Sequence, residues 1–223
     1  MYCRQQVGLL SERLLHGESR IQVLSGPRQT GKTTIATQVM ENLESRGINC
    51  VFASADSAIP REASWILEKW IEARLQESEN GRAVLFLDEV QKVQGWSEQV
   101  KLLWDEDQRQ GRMIGVVLLG SSRLLMMRGT SESLVGRFEM IYVFHWSYRE
   151  MQEAFDLDME TYIALGGYPG SVDLMGDFTR WRAYILDAIV EPVLTRDLLL
   201  TIRVDKVLDV EKILAEVSPR QDD

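Results

Sequence analysis

Five short apolar runs bounded by turn residues punctuate the chain, at Ile21–Ser25, Cys50–Ala55, Ala83–Leu87, Gly115–Leu119 and Met140–Phe144. Each has the length of a strand. Ala83–Leu87 and Val116–Leu119 are apolar throughout, without polar alternation, as in parallel strands covered by helices on both faces. Helical spacing fills the gaps between runs. Residues Thr33–Arg46 put Ile35, Ala36, Val39, Met40 and Leu43 on one face and stop at Gly47, a residue suited to a left-handed C-cap. Similar stripes recur at Ile66, Leu67, Trp70 and Ile71, and at Val100, Leu103 and Trp104. Strands alternating with helices predict right-handed βαβ units and a three-layer αβα sandwich around a five-stranded parallel sheet.

After Phe144 the pattern changes. Ser147–Phe155, Glu160–Leu165, Phe178–Leu200 and Val207–Val217 carry helical periodicity with no strand runs, which places a boundary near residue 146. The expectation is an α/β core over 1–146 and an all-helical unit over 147–223. At 223 residues the chain suits one core with an appendage, given ~100–200 residues per domain. It closes on the polar stretch Ser218-Pro219-Arg220-Gln221-Asp222-Asp223, and is expected to be part of a longer protein.

The first run leads into Gly26-Pro27-Arg28-Gln29-Thr30-Gly31-Lys32-Thr33, with Thr34 next, and fits the phosphate-loop pattern G-x-x-x-x-G-K-[ST]. A strand before it and a helix after it supply the context that the motif needs. Gly26 and Gly31 permit backbone conformations and a close approach that a Cβ would block, so successive N–H groups can turn toward a phosphate. The helix beginning at Lys32 aims unpaired N–H groups and the positive end of its dipole at the same anion. Lys32 is placed to reach the β- and γ-phosphates as a point charge, and the Thr33 hydroxyl to ligate Mg²⁺. ATP and Mg²⁺ are the expected ligands.

Val84-Leu85-Phe86-Leu87-Asp88-Glu89 is a hydrophobic strand that delivers two carboxylates at its C-terminal end, where ligands sit in open α/β sheets. Beside a phosphate loop this is a Walker B arrangement. Asp88 is expected in the Mg²⁺ shell, and Glu89 as the group that orients and polarises the water attacking the γ-phosphate. The run ending at Leu119 continues into Gly120-Ser121-Ser122, which puts a hydroxyl between the two loops, in the place of a γ-phosphate sensor. Capping of a helix over Leu124–Met127 is an equally good use of Ser121 or Ser122, because serine is a favoured N-cap. The two roles are compatible.

Composition narrows the remaining chemistry. A net charge of −9 argues against a broad nucleic-acid footprint, which needs clustered Lys and Arg. Cys3 and Cys50 are too few for a disulfide framework, and Cys50 reads as a small core residue. His16 and His145 alone give histidine-based metal or triad chemistry little material. No window approaches the ~18 apolar residues of a membrane span, and Arg4, Gln5 and Gln6 are unlike a signal peptide. A soluble, cytoplasmic protein is expected. Trp65, Trp70, Trp96, Trp104, Trp146 and Trp181 suggest base-stacking platforms, but those on helical stripes fit core packing better. Met126-Met127 likewise fits gap filling better than a partner-facing patch.

Gly26–Thr34, Asp88-Glu89 and Leu119-Gly120-Ser121-Ser122, with Ser131-Glu132-Ser133-Leu134-Val135-Gly136-Arg137-Phe138, resemble the AAA+-type ATPases of bacteria and archaea that carry a C-terminal domain of unknown function. Gly166-Gly167-Tyr168-Pro169-Gly170 and the segment around Trp181, Tyr184, Ile185, Glu191 and Arg196-Asp197 resemble that family's helical lid, so the likeness covers nearly the whole chain. It implies a P-loop NTPase core with strand order 5-1-4-3-2 and a C-terminal helical lid. By the same likeness Arg137, just before the last strand, is an arginine finger acting on a neighbour's ATP, which implies a homo-oligomer. A surface or ion-paired arginine is the plain alternative, and Arg28, Arg123 and Arg128 are rival cations. Gly167-Tyr168-Pro169 resembles the G-x-P motif of the signal-transducing (STAND) branch, whose proline packs on the adenine, although Gly and Pro also mark ordinary turns. In that family a winged-helix segment and a nuclease-like domain follow the lid, whereas this sequence ends at Asp223.

The leading expectation is an ATPase whose hydrolysis changes its conformation for an unknown protein partner. A small-molecule P-loop kinase shares the loop and the core, but Asp88-Glu89 and Ser121-Ser122 weigh against it. In a third reading, ATP is held, barely hydrolysed and read by a partner.

Overall fold

The computed structural model describes residues 1–17, 20–56, 61–76, 81–121 and 133–192. Helix α1 (Gln5–Leu15) precedes strand β1 (Ile21–Ser25), followed by α2 (Lys32–Glu44), β2 (Asn49–Ser54), α3 (Ala63–Leu75) and β3 (Arg82–Asp88). A 3-10 turn at Val90–Lys92 then leads to α4 (Trp96–Gln110), β4 (Met113–Gly120) and β5 (Phe138–Tyr142). Next come α5 (Tyr148–Phe155), α6 (Met159–Leu165), a 3-10 stretch at Pro169–Leu174, and α7 (Phe178–Tyr184), which continues as a π-helical stretch at Ile185–Val190.

All five strands are parallel, in the order β2-β3-β4-β1-β5, which from the other edge is 5-1-4-3-2. Each strand's twofold alternation divides its side chains between two helical layers. Ile21, Val23, Leu85, Leu87, Val116 and Leu118 pack with Ile66 and Trp70 of α3 and with Val100 and Leu103 of α4. Leu24, Val84, Phe86, Val117 and Leu119 face Val7, Leu10 and Leu14 of α1 and Ile35, Val39 and Leu43 of α2. The unbroken apolar runs of β3 and β4, and the apolar positions of β1, therefore serve two cores at once. Each fully buried leucine or phenylalanine among them contributes ~1.5–3 kcal/mol relative to exposure.

Helix α1 was absent from the elements expected above. Val7, Leu10 and Leu14 share its buried face, but the polar opening Arg4-Gln5-Gln6 and Gly8 within it obscure the stripe. Arg82 at the start of β3 donates to the carbonyls of Leu14 and Leu15, satisfying orphan acceptors at the negative end of α1. β5 begins two residues before the apolar run at Met140–Phe144. Pairing sets that boundary, because Ile21 pairs with Phe138 and Ser25 with Tyr142.

Trp65, Trp70, Trp96 and Trp146 are buried, in keeping with packing roles. Trp70 Nε1 donates to the buried Asp107 carboxylate at 2.6 Å, and Arg74 Nε does so at 2.8 Å, tying α3 to α4. Burial pushes the Cys50 thiol up to about 12, and the nearby Glu44 charge adds to the shift, so this cysteine is inert near neutral pH.

The chain forms two compact units, Met1–Gly170 and Ser171–Asp223. Helices α5 and α6 belong to the first. In the second, Trp181 Nε1 donates to the buried Ser171 at 3.3 Å. The helical segments expected at Leu124–Met127 and Val207–Val217, and the end of the one expected at Phe178–Leu200, lie outside the described residues.

Candidate functional site

β1 ends at Ser25 and α2 starts at Lys32, so residues 26–31 form the connecting loop. Gln29 and Gly31 adopt left-handed backbone conformations, with φ of 58° and 89°. The Thr30 hydroxyl closes the loop by donating to the Pro27 carbonyl at 3.0 Å. The first helical bond runs from Ile35 N to Gly31 O, so the N–H groups before it lie in the unpaired first turn of α2. Anions are favoured there. Lys32 Nζ folds back onto the loop, donating to Gly26 O at 2.9 Å and Pro27 O at 2.6 Å. Gly26 has a reason that the motif does not reveal: a Cβ there would stand 1.9 Å from the Val143 carbonyl oxygen. Its small size is demanded by the chain leaving β5 as well as by any phosphate.

The loop is clamped from two distant places. Arg4, 4% exposed, donates to Thr30 O at 2.9 Å, Phe144 O at 3.2 Å and Glu150 Oε1 at 2.8 Å. Its guanidinium also lies over the Trp146 ring, whose Nε1 donates to the same Thr30 carbonyl at 3.2 Å. Burial acts to raise the Glu150 carboxyl, but the hydrogen bond from Arg4 and those from Ser147 outweigh it and leave the group below its ordinary value of 4.5. Sequence patterns missed Arg4 and Trp146 because their partners lie 26 to 146 residues away. Arg4→Met is expected to cost about 2–3 kcal/mol in urea unfolding, since it strands a carboxylate and a carbonyl. A depressed carboxyl stabilises the fold above its unfolded value and loses that effect as pH falls through its folded value. The difference between parent and Arg4→Met should therefore be full above pH 4.5 and shrink below it. A constant difference across that range would contradict the assignment.

At the end of β3, Asp88 is 8% exposed and lies against the loop, its Oδ2 accepting from the Thr33 hydroxyl at 3.3 Å and its Oδ1 from Glu89 N at 2.9 Å. Burial raises the Asp88 carboxyl and the Glu89 charge raises it further, while the Glu89 N–H, Thr33 and Lys32 oppose the shift. A hydroxyl and a carboxylate facing each other are hard oxygen donors of the kind Mg²⁺ takes, and Mg²⁺ draws its remaining ligands from water and phosphate.

Glu89 turns away from the strand in a left-handed conformation, φ 52° and ψ 32°, unusual for a residue with a Cβ. Such strain collects at functional sites. Its Oε2 accepts from Ser121 Oγ at 2.9 Å and from Gln91 Nε2 at 2.6 Å. The geometry thus brings Ser121 to Glu89 at the ends of β3 and β4, while Ser122 lies outside the described residues.

Next to the loop is a largely apolar cavity of about 520 Å³, lined by Tyr2, Gly31, Thr34, Ile35, Trp146 and Pro169 among others. Tyr2 and Trp146 pack with ring centroids 5.3 Å apart. Gly167 lets the turn before Pro169 pass close to α5's approach, because a Cβ there would stand 2.1 Å from the Trp146 carbonyl oxygen. Tyr162 donates to that same carbonyl at 2.9 Å.

A P-loop, an acidic pair and this strand order together select one class of nucleotide-binding core. A sequence profile of the AAA domain matches residues 18–152. The chain belongs to the AAA domain family. It is an ATP-binding P-loop ATPase of the AAA type. In fold it is similar to a Walker-type ATPase of Pyrococcus abyssi, with a TM-score of 0.56 and 16% identity over 99% of this chain and 77% of that one. AMPPCP-bound DnaA from Aquifex aeolicus gives a TM-score of 0.53 and 15% identity over 92% of this chain and 72% of that one. No curated protein matches the sequence.

Within the AAA core, Arg137 stands apart from the loop. Its carbonyl accepts from Ile21 N at the start of β1, whereas the phosphate loop follows the other end of that strand. The guanidinium makes a bidentate pair with Asp105 of α4, at 2.8 and 3.1 Å, and lies over the Trp104 ring. Hydrogen bonding to Asp105 raises the Arg137 pKa further. From there it does not serve the AAA site of its own chain. Arg123 and Arg128 lie outside the described residues, and among these no helix is long and apolar enough to cross a membrane.

Proposed function

We propose that the chain hydrolyses ATP in a Mg²⁺-dependent reaction and uses hydrolysis as a conformational switch, working in an oligomer. The observation that carries this reading is the convergence of Thr33, Asp88, Glu89 and Ser121 beside the loop, linked by hydrogen bonds of 3.3, 2.9 and 2.9 Å. Residues 26–31 wrap the phosphates with backbone N–H groups, and Lys32 exchanges its bonds to the Gly26 and Pro27 carbonyls for phosphate oxygens. Thr33 and Asp88 would hold Mg²⁺, which supplies neutralisation of phosphate charge when bound. Glu89 polarises the attacking water, and Ser121 with Ser122 senses the γ-phosphate. The apolar cavity takes the adenine against Pro169, in the manner of the STAND G-x-P motif. One nucleotide touching both Gly31 and Pro169 couples the loop to the turn that follows α6. A C-terminal nuclease-like domain belongs to the same proposal, as does an unknown protein partner.

Thermal unfolding of the full chain with ATP and Mg²⁺ tests the site. At about 100 times Kd, ligand stabilises the parent by ~2.7 kcal/mol through mass action. Lys32→Ala should retain the fold and lose that shift. An equal shift in the variant would remove the phosphate assignment.

A further inference from the structure

Gln91 lies on the 3-10 turn that follows the acidic pair. Its Nε2 stands 2.6 Å from Glu89 Oε2, a distance at which a carboxylate faces an N–H group and repels a carbonyl. Charge therefore sets the orientation of the amide. Its oxygen must point away, and Gln91 Oε1 is buried with no hydrogen-bond partner. Buried acceptors of that kind are rare in folded proteins and call for an explanation, such as a catalytic role or a bound water. The backbone fixes the arrangement: Glu89 is left-handed, and Lys92 N donates to Glu89 O at 3.0 Å, closing the turn that carries both side chains. Ser121 Oγ reaches Glu89 Oε2 at 2.9 Å, and Lys92 Nζ lies 3.9 Å from that same oxygen while pairing with Asp56 at 2.8 Å. All of these donors converge on Oε2 of Glu89, which leaves the other carboxylate oxygen to act.

We propose that Gln91 is a positioning residue for hydrolysis: its Nε2 holds the Glu89 carboxylate so that the free carboxylate oxygen faces the attacking water. The inference rests on the reading of Glu89 as the base. The water oxygen bonds to the γ-phosphorus as the bond from phosphorus to the β–γ bridging oxygen breaks, and the electron pair leaves with ADP. One water proton passes to Glu89. The other stays on the phosphate product. A carboxylate held in one orientation keeps its free oxygen aimed at the water, where an unheld one rotates away.

The test is a pair of substitutions in the full chain, alone and combined with Glu89→Gln, read by ATP affinity and by single-turnover hydrolysis. Gln91→Met keeps the length and loses both polar atoms; Gln91→Glu keeps the acceptors and loses the donor. Each should slow the single-turnover rate about 10²-fold, the scale of a misplaced reacting group, with Kd for ATP unchanged. In the Glu89→Gln background neither should slow the reaction further, because Gln91 acts through that carboxylate. Full hydrolysis by Gln91→Met beside an impaired Glu89→Gln would overturn the proposal. Weakened ATP binding, or slowing of equal size in both backgrounds, would make Gln91 a structural residue only and overturn it too. A parent with no turnover, or a Glu89→Gln variant as fast as the parent, would instead refute the reading of Glu89.

Discussion

Arg137→Ala should slow ATP hydrolysis by about 10³–10⁵-fold while leaving ATP binding intact, the effect of removing an arginine finger in other P-loop systems. Arg137 lies at the far end of β1 from the phosphate loop, so any action on phosphate must be on a second copy of the chain. Its guanidinium contacts the Asp105 carboxylate, the Val135 carbonyl and the Trp104 ring. Were those its whole purpose, losing a surface ion pair would cost about 0–1 kcal/mol of stability and barely change the rate. The two outcomes differ by orders of magnitude. A finger acting in trans also makes specific activity rise with protein concentration. Mixing Arg137→Ala with Glu89→Gln should restore part of the activity, because one contact then joins an intact finger to an intact base. Activity that is independent of concentration, with no rescue in a mixture shown to co-assemble, would exclude the finger.

The second large effect is expected at Glu89. Glu89→Gln preserves shape and can still accept from Ser121, but removes the anion that polarises water. General-base catalysis contributes about 10²–10⁴-fold, and turnover should fall by that amount. Affinity for ATP should hold, since the phosphate contacts come from residues 26–34. Steady-state phosphate release with a parallel binding titration checks both halves. A variant that loses binding and turnover together would mean that Glu89 supports the site's architecture and not its chemistry.

How much of this was legible in the sequence depends on the range over which each contact acts. Ala83–Leu87 could be read as a doubly covered strand because period and composition are local properties, and the same holds for the loop at Gly26–Thr33. Strand order came from the resemblance, and the pairing of β1 with both β4 and β5 agrees with it. Long-range polar contacts were out of reach. Nothing near Arg4 announces that it clamps Thr30 and Glu150, and nothing near Gly26 announces the Val143 carbonyl. Glu89 was singled out for its carboxylate, yet its left-handed backbone and its tie to Gln91 emerge only once the turn is built. Helix α1 was hidden for a different reason: its apolar face is narrow and interrupted by polar residues, and the packing of Leu10 and Leu14 on the sheet stabilises it.

In the proposed function one site, made of the loop and the acidic pair, both holds and splits ATP. The most direct test is to incubate the full chain and its Glu89→Gln variant with ATP and Mg²⁺, separate the protein, and identify the nucleotide that remains bound. The parent should carry ADP and have released phosphate, and the variant should carry intact ATP. Intact ATP on both proteins would contradict hydrolysis at this site, and ADP on both would contradict the role of Glu89.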